Sequence, residues 1–169
     1  MSTALRPKPR VLSNRRTKLA IVASKFNERY TDAMVDRAIE ELGAYLPQAR
    51  VDLVRVPGAF EIPVAAKAVL ELEQPRCVIA LGVLIRGQTS HADLVATSVT
   101  EALQNLALEF TTPVIHEVLL LDNEEQAHRR CLADDLNRGR EAARAAAAMI
   151  EVFAELDSTE HLRMRPNNG

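Results

Sequence analysis

Nine residues, Cys77-Val-Ile-Ala-Leu-Gly-Val-Leu-Ile85, form an almost unbroken apolar run between Pro75-Arg76 and Arg86-Gly87. A strand with one wet face alternates apolar and polar residues; this run does not alternate. It reads as a central strand covered on both faces, and such strands belong to parallel sheets flanked by helices. The rest of the chain supplies the expected neighbours. Lys18 to Ser24 is a second apolar run, and Val51 to Val56 is a third strand closed by Pro57-Gly58. Val114 to about Leu120 is a fourth, introduced by Pro113.

Helical spacing fills the gaps. Val35, Ile39, Leu42 and Leu46 recur at helix period until Pro47 stops them, and Ile62 to Leu72 is a short apolar-rich helix. Val95, Val99, Leu103, Leu106 and Phe110 mark a long helix. Asp122-Asn123-Glu124-Glu125 opens another, and an Ala-rich last helix runs from near Gly139 to about Leu156. The order βαβαβαβαα predicts an α/β fold, a parallel sheet with helices on both faces. We divide the chain into a basic arm (1–17), one domain (18–156) and a frayed C-terminal tail (157–169).

Composition removes several functions. At 169 residues, 47% hydrophobic and 26% charged, the chain suits one soluble domain with a real core. A net charge of -2 and the lack of Trp give no reason to expect nucleic acid or a membrane as partner. No stretch is long and apolar enough for a membrane span, and the basic N-terminus has no apolar h-region of a secretory signal. Cys77 and Cys131, without short-spaced Cys/His companions, point to no metal and to a reducing, cytoplasmic setting.

Right-handed crossovers would put all four strand C-termini on one edge, where ligands of such folds bind. Four segments fall there. Ile85 to Asp93 ends a buried strand, turns through Gly87-Gln88-Thr89, and starts a helix whose first N–H groups can hold an anion, with His91 beside them. Spacing alone favours an ordinary strand–turn–helix junction with a surface histidine. Val56-Pro57-Gly58-Ala59-Phe60-Glu61-Ile62-Pro63 offers close backbone approach, an apolar wall and a hydroxyl acceptor, or simply a Pro/Gly turn before a helix. Phe26, just past the first strand, can stack on a planar ring or fold back on the core. Arg130 in Asp122–Arg130 can pair with phosphate or sit on a solvated helix face.

Taken in this order, the four segments resemble the 6,7-dimethyl-8-ribityllumazine synthase family over roughly residues 18 to 155. The quoted motifs are Val56-Pro-Gly-Ala-Phe-Glu-Ile-Pro63, Gly82-Val-Leu-Ile-Arg-Gly-Gln-Thr-Ser-His91 with Asp93, and Asn123-Glu-Glu-Gln-Ala127 with Arg130. The resemblance implies a flavodoxin-like three-layer α/β/α sandwich with a four-stranded parallel sheet. It implies condensation of 5-amino-6-(D-ribitylamino)uracil with 3,4-dihydroxy-2-butanone 4-phosphate in riboflavin biosynthesis, without metal or organic cofactor. Phe26 would stack on the pyrimidine; Gly58, Ala59, Phe60 and Glu61 would line the ribityl pocket; Leu84 and Ile85 would offer backbone groups to the uracil. Gly87, Gln88 and Thr89 would cradle the phosphate with Arg130; His91 would shuttle protons, steadied by Asp93.

The resemblance further implies a homo-oligomer built from pentamers, with the site between subunits. The His116 segment would reach the neighbour's pocket, the N-terminal arm would add a strand next door, and riboflavin synthase would be a candidate partner. The chain departs from the family's usual pattern at His116-Glu117 (commonly Phe-Gly), Leu120-Leu121 (commonly two threonines), and Ala92 and Leu94 (commonly aromatic). Cys131 to Asp135 lacks a glycine-containing turn, and Arg138 falls where the family often has a lysine near the site. A member that binds a flavin or lumazine without efficient turnover is the alternative that these departures raise. An unrelated regulator of the same architecture would want a phosphoacceptor Asp after the first or third strand, where Lys25 and Arg86 stand.

Overall fold

The computed structural model describes residues 7–12 and 16–163. Four strands, β1 (Lys18–Ser24), β2 (Arg50–Val56), β3 (Cys77–Ile85) and β4 (Val114–Leu121), form one all-parallel sheet in the order β2-β1-β3-β4. The helices are α1 (Glu28–Tyr45), α2 (Ile62–Glu73), α3 (His91–Phe110), α4 (Glu124–Ala127) and α5 (Arg138–Arg163). A 3₁₀ turn, Ala59–Glu61, leads into α2, and a π-helical turn, His128–Leu132, continues α4. The architecture is the expected three-layer α/β/α sandwich with a four-stranded parallel sheet.

The two apolar runs occupy the two central places. Leu19, Ile21, Ile79 and Leu81 turn to the face covered by α1 and α5, and Val22, Val78 and Ala80 to the face covered by α2 and α3. Full burial of each Leu or Ile contributes about 1.5–3 kcal/mol, which holds β1 and β3 inside the layers. β2, with its polar Arg50, Asp52 and Arg55, lies at one edge, and its Leu53 is exposed.

On α1 the buried stripe runs through Met34, Val35, Ala38 and Leu42, so Ile39, expected on that stripe, faces solvent. The stripe lets α5 approach closely: a Cβ on Gly139 would sit 2.0 Å from the carbonyl oxygen of Met34. Only glycine permits that backbone approach. The last helix extends to Arg163, past the expected end near Leu156. Its buried face is finished by Ile150, and beyond that Asp157 is held by Arg76 at 2.7 Å. Of the expected arm, Leu12 donates its N–H to the carbonyl of Tyr45 at the end of α1 (2.8 Å). Residues 1–6, 13–15 and 164–169, part of the arm and of the tail, lie outside the described residues. Among the described residues no helix is long and apolar enough to cross a membrane.

Candidate active site

The strand order reverses direction between β1 and β3: the chain leaves β1 toward β2 and leaves β3 toward β4. Connections therefore diverge above that pair and leave a crevice at their C-terminal ends. The β1–β3 ladder stops at Ala23↔Leu81, while β3 continues to Ile85. On its β1 side the end of β3 thus has backbone groups without a strand partner. Asn27 takes one of them, its Nδ2 donating to the Val83 carbonyl at 2.8 Å. Leu84 and Ile85 follow, half-buried.

Two backbone bonds past the strand ends, Lys25 N–H to Val56 O (2.7 Å) and Phe26 N–H to Pro57 O (3.0 Å), tie β1 to β2. They leave the Phe26 side chain projecting, 66% exposed. Phe60, in the 3₁₀ turn, is 62% exposed, so two of the chain's four phenylalanines are exposed in the segments after β1 and β2. Apolar rings in water are unfavourable, and a flat apolar ligand would cover them. Ala59 is buried, and the Glu61 carboxylate leans over Gly58, where a Cβ would come 2.9 Å from Glu61 Oε2.

Beyond β3 the residues Gly87, Gln88 and Thr89 are exposed, and α3 begins at His91, itself exposed. The first intrahelical bond is Leu94 N–H to Ser90 O at 3.1 Å, and the Ser90 side chain makes no cap bond. The amides of the first turn of α3 are therefore left for a ligand or water. Gly87 has no positive φ, and a Cβ there would meet nothing within 4 Å, so its lack of a side chain keeps open space above the turn. Ser90 and Asp93, three residues apart, do not form the capping box that their spacing allows. Asp93 bonds instead to Arg86, from Nε (3.1 Å) and Nη2 (2.8 Å), and not to the His91 imidazole that it was expected to steady. Arg86 also pairs with Asp122. The guanidinium holds both carboxyls below the usual range; for Asp122 the Gln126 amide is the larger cause.

At the end of β4, Asn123 caps α4, its Oδ1 accepting from Gln126 N–H at 2.9 Å. Arg130, half-buried, lines a cavity of about 370 Å³ with Leu121, Asp122 and Gln126.

Two expected site residues lie away from this edge. His116 is in the first half of β4; its Nε2 meets Thr100 Oγ1 at 2.8 Å, and its Nδ1 accepts from Val118 N–H at 3.2 Å. Burial lowers its pKa. Arg138, expected beside the substrate, is turned to Glu117 (2.8 and 3.0 Å) and Glu141 at the start of α5. Asn27, Arg86, Glu117 and Gln126 receive no site role from the sequence. The first three have partners on other elements, visible only with the strand order known, while Gln126 bonds locally to Asp122 and Asn123 at the start of its own helix. Among the described residues no three His, Cys, Asp or Glu side chains gather as a metal site.

The family model for 6,7-dimethyl-8-ribityllumazine synthase matches residues 16–154. A protein of that name from Leuconostoc mesenteroides is 33% identical over 152 residues, covering 89% of this chain and 97% of its own. Another from Aquifex aeolicus is 41% identical over 140 residues (82% of this chain, 91% of its own). A third, from a Polaromonas species, is 36% identical over 146 residues (86% and 92%). With the family model spanning most of the described residues and these relatives matched over nearly their whole length, the chain belongs to the 6,7-dimethyl-8-ribityllumazine synthase family.

Proposed function

We propose that this chain condenses 5-amino-6-(D-ribitylamino)uracil with 3,4-dihydroxy-2-butanone 4-phosphate. The products are 6,7-dimethyl-8-ribityllumazine, inorganic phosphate and water. The support that carries most weight is convergence. Phe26, the Gly58–Glu61 segment, the end of β3 beyond its last pair with β1, the start of α3 with His91, and Arg130 all lie at or beyond strand ends on one sheet edge.

In this reading Phe26 stacks on the pyrimidine, Leu84 and Ile85 offer backbone groups to its polar rim, and Glu61 accepts from ribityl hydroxyls beside Gly58, Ala59 and Phe60. The phosphate sits on the amides of Gly87, Gln88 and Thr89 and the first turn of α3, opposite Arg130. The ring amine adds to the ketone and loses water to give an imine. His91 takes up the proton at carbon that allows phosphate to leave, and the ribitylamino nitrogen closes the ring with loss of a second water. Holding two reactants in line supplies much of the rate. The enzyme is cytoplasmic and works as an assembly of pentamers, His116 reaching the neighbouring subunit's pocket and riboflavin synthase acting on the product.

Purified protein given both substrates should form the lumazine chromophore well above the uncatalysed background. His91→Ala should slow turnover by about 10²-fold, as loss of general acid–base help does. Product formation no faster than background would reject the proposal.

A further inference from the structure

We propose that Arg86 is a positioning residue that sets the phosphate turn against the helix carrying Arg130, acting through Asp93, Asp122 and Gln126. The inference rests on the reaction proposed above and adds to it residues that make no contact with substrate.

A continuous set of contacts carries the idea. Arg86 is the first residue after β3, and its N–H donates to the carbonyl of Leu121 at 2.9 Å, which fixes its backbone to the end of β4. Its guanidinium then divides. Nε and Nη2 hold Asp93 in the first turn of α3, at 3.1 and 2.8 Å, while Nη1 holds Asp122 just past β4. Asp122 is gripped in turn by Gln126: Nε2 donates to Oδ2 at 3.0 Å, and the Asp122 N–H donates to Oε1 at 3.0 Å. Gln126 and Arg130 are four residues apart on one helical stretch and line the same cavity. The two halves of the phosphate site, far apart in sequence, are thus joined by one guanidinium and one amide.

A planar fork suits this task because it can address two carboxylates at once in fixed directions. A lysine, a flexible point charge, cannot reproduce that geometry. The ion pairs are exposed, so their worth to stability is small. Their worth to rate is different, because small misplacement of bound groups is costly to catalysis. Arg86 also offsets carboxylate charge that would otherwise face an incoming phosphate dianion.

The test is steady-state kinetics of the full-length protein, with each substrate varied in turn, on Arg86→Gln, Arg86→Lys, Asp122→Asn, Arg130→Ala and Arg86→Gln/Arg130→Ala. Arg86→Gln should lower kcat/KM for the butanone phosphate on the order of 10-fold to 100-fold, leaving KM for the amino-uracil unchanged. Arg86→Lys should not rescue it, and Asp122→Asn should mimic it. In the Arg130→Ala background the Arg86→Gln loss should shrink severalfold, because both act through one element. Independent, multiplying losses would overturn the proposal, as would full activity of Arg86→Gln or a matching rise in KM for the amino-uracil. If the unsubstituted protein shows no turnover, the reaction fails and the positioning claim is read separately from the thermal shift caused by inorganic phosphate. That shift should fall in Arg86→Gln, and the double variant should show little loss beyond that of Arg130→Ala alone; an unchanged shift in Arg86→Gln would reject the claim.

Discussion

The guanidinium of Arg138 lies across both carboxylate oxygens of Glu117, with Nε–Oε2 at 2.8 Å and Nη2–Oε1 at 3.0 Å. Glu117 and Arg138, both marked in the sequence as departures from the pattern of the resembled family, thus meet in one pair. The pair is buried, 4% and 14% exposed at the side chains, and Glu141 joins it from α5. Breaking such a pair strands charge in the interior. Arg138→Met, which leaves two carboxylates facing each other, should cost about 3–5 kcal/mol. Glu117→Gln should cost less, because Glu141 still holds the guanidinium. Urea unfolding followed by circular dichroism measures both; equal stability of all three proteins would contradict the pairing.

Gly58 is required by the position of one carboxylate, and not by its backbone angles, which are extended. A methyl group there would push aside Glu61 Oε2, the flexible end of a side chain. Gly58→Ala should therefore leave the thermal midpoint nearly unchanged and raise KM for the amino-uracil severalfold. A large loss of stability with unchanged KM would show that Glu61 has no part in binding.

Protonation of His116 conflicts with its surroundings. Its Nδ1 accepts a backbone N–H from Val118, and burial holds its pKa below the ordinary 6.5. The folded state then binds fewer protons than the unfolded state below that pH. Its contribution to stability is complete above about 6.5 and declines as pH falls through the lowered folded pKa. The carboxylates with lowered pKa values, Asp52, Asp93 and Asp122, act only at more acid pH. Melting temperatures measured between pH 7.5 and about 5 should fall with acidification. His116→Phe should flatten that slope, and a slope identical to the unsubstituted protein's would refute the assignment.

Both thiols are shielded. Burial raises the Cys77 thiol far above its usual range and that of Cys131 to about 12, so neither is a thiolate near neutrality. Iodoacetamide should modify neither under native conditions at pH 8 and both in denaturant, as read by mass spectrometry. Rapid native labelling of either would mean that its element opens.

Much of this fold is legible in the chain itself. The runs Lys18–Ser24 and Cys77–Ile85 announce two strands buried on both faces, and their central places in the sheet follow. The strand–turn–helix at Gly87 and the cap at Asn123 are readable because both are local. What escapes is set by pairing across elements. Asn27 reaching Val83, Arg86 bridging Asp93 and Asp122, and Glu117 meeting Arg138 each span a gap that no periodicity describes. Ile39 misleads for a related reason: the stripe that α5 covers is defined by the small residues Ala38 and Gly139 as much as by large apolar ones.

The central claim is that amides beyond β3 and the Arg130 side chain take the phosphate while Phe26 takes the ring. A crystal structure of the assembled protein with a ribityl-bearing product analogue and inorganic phosphate tests it most directly. The phosphate should lie on the Gly87–Thr89 amides within hydrogen-bonding reach of Arg130, with the analogue's ring against Phe26 and its hydroxyls on Glu61. Phosphate bound elsewhere, or a ring lodged away from Phe26 and the end of β3, would contradict it.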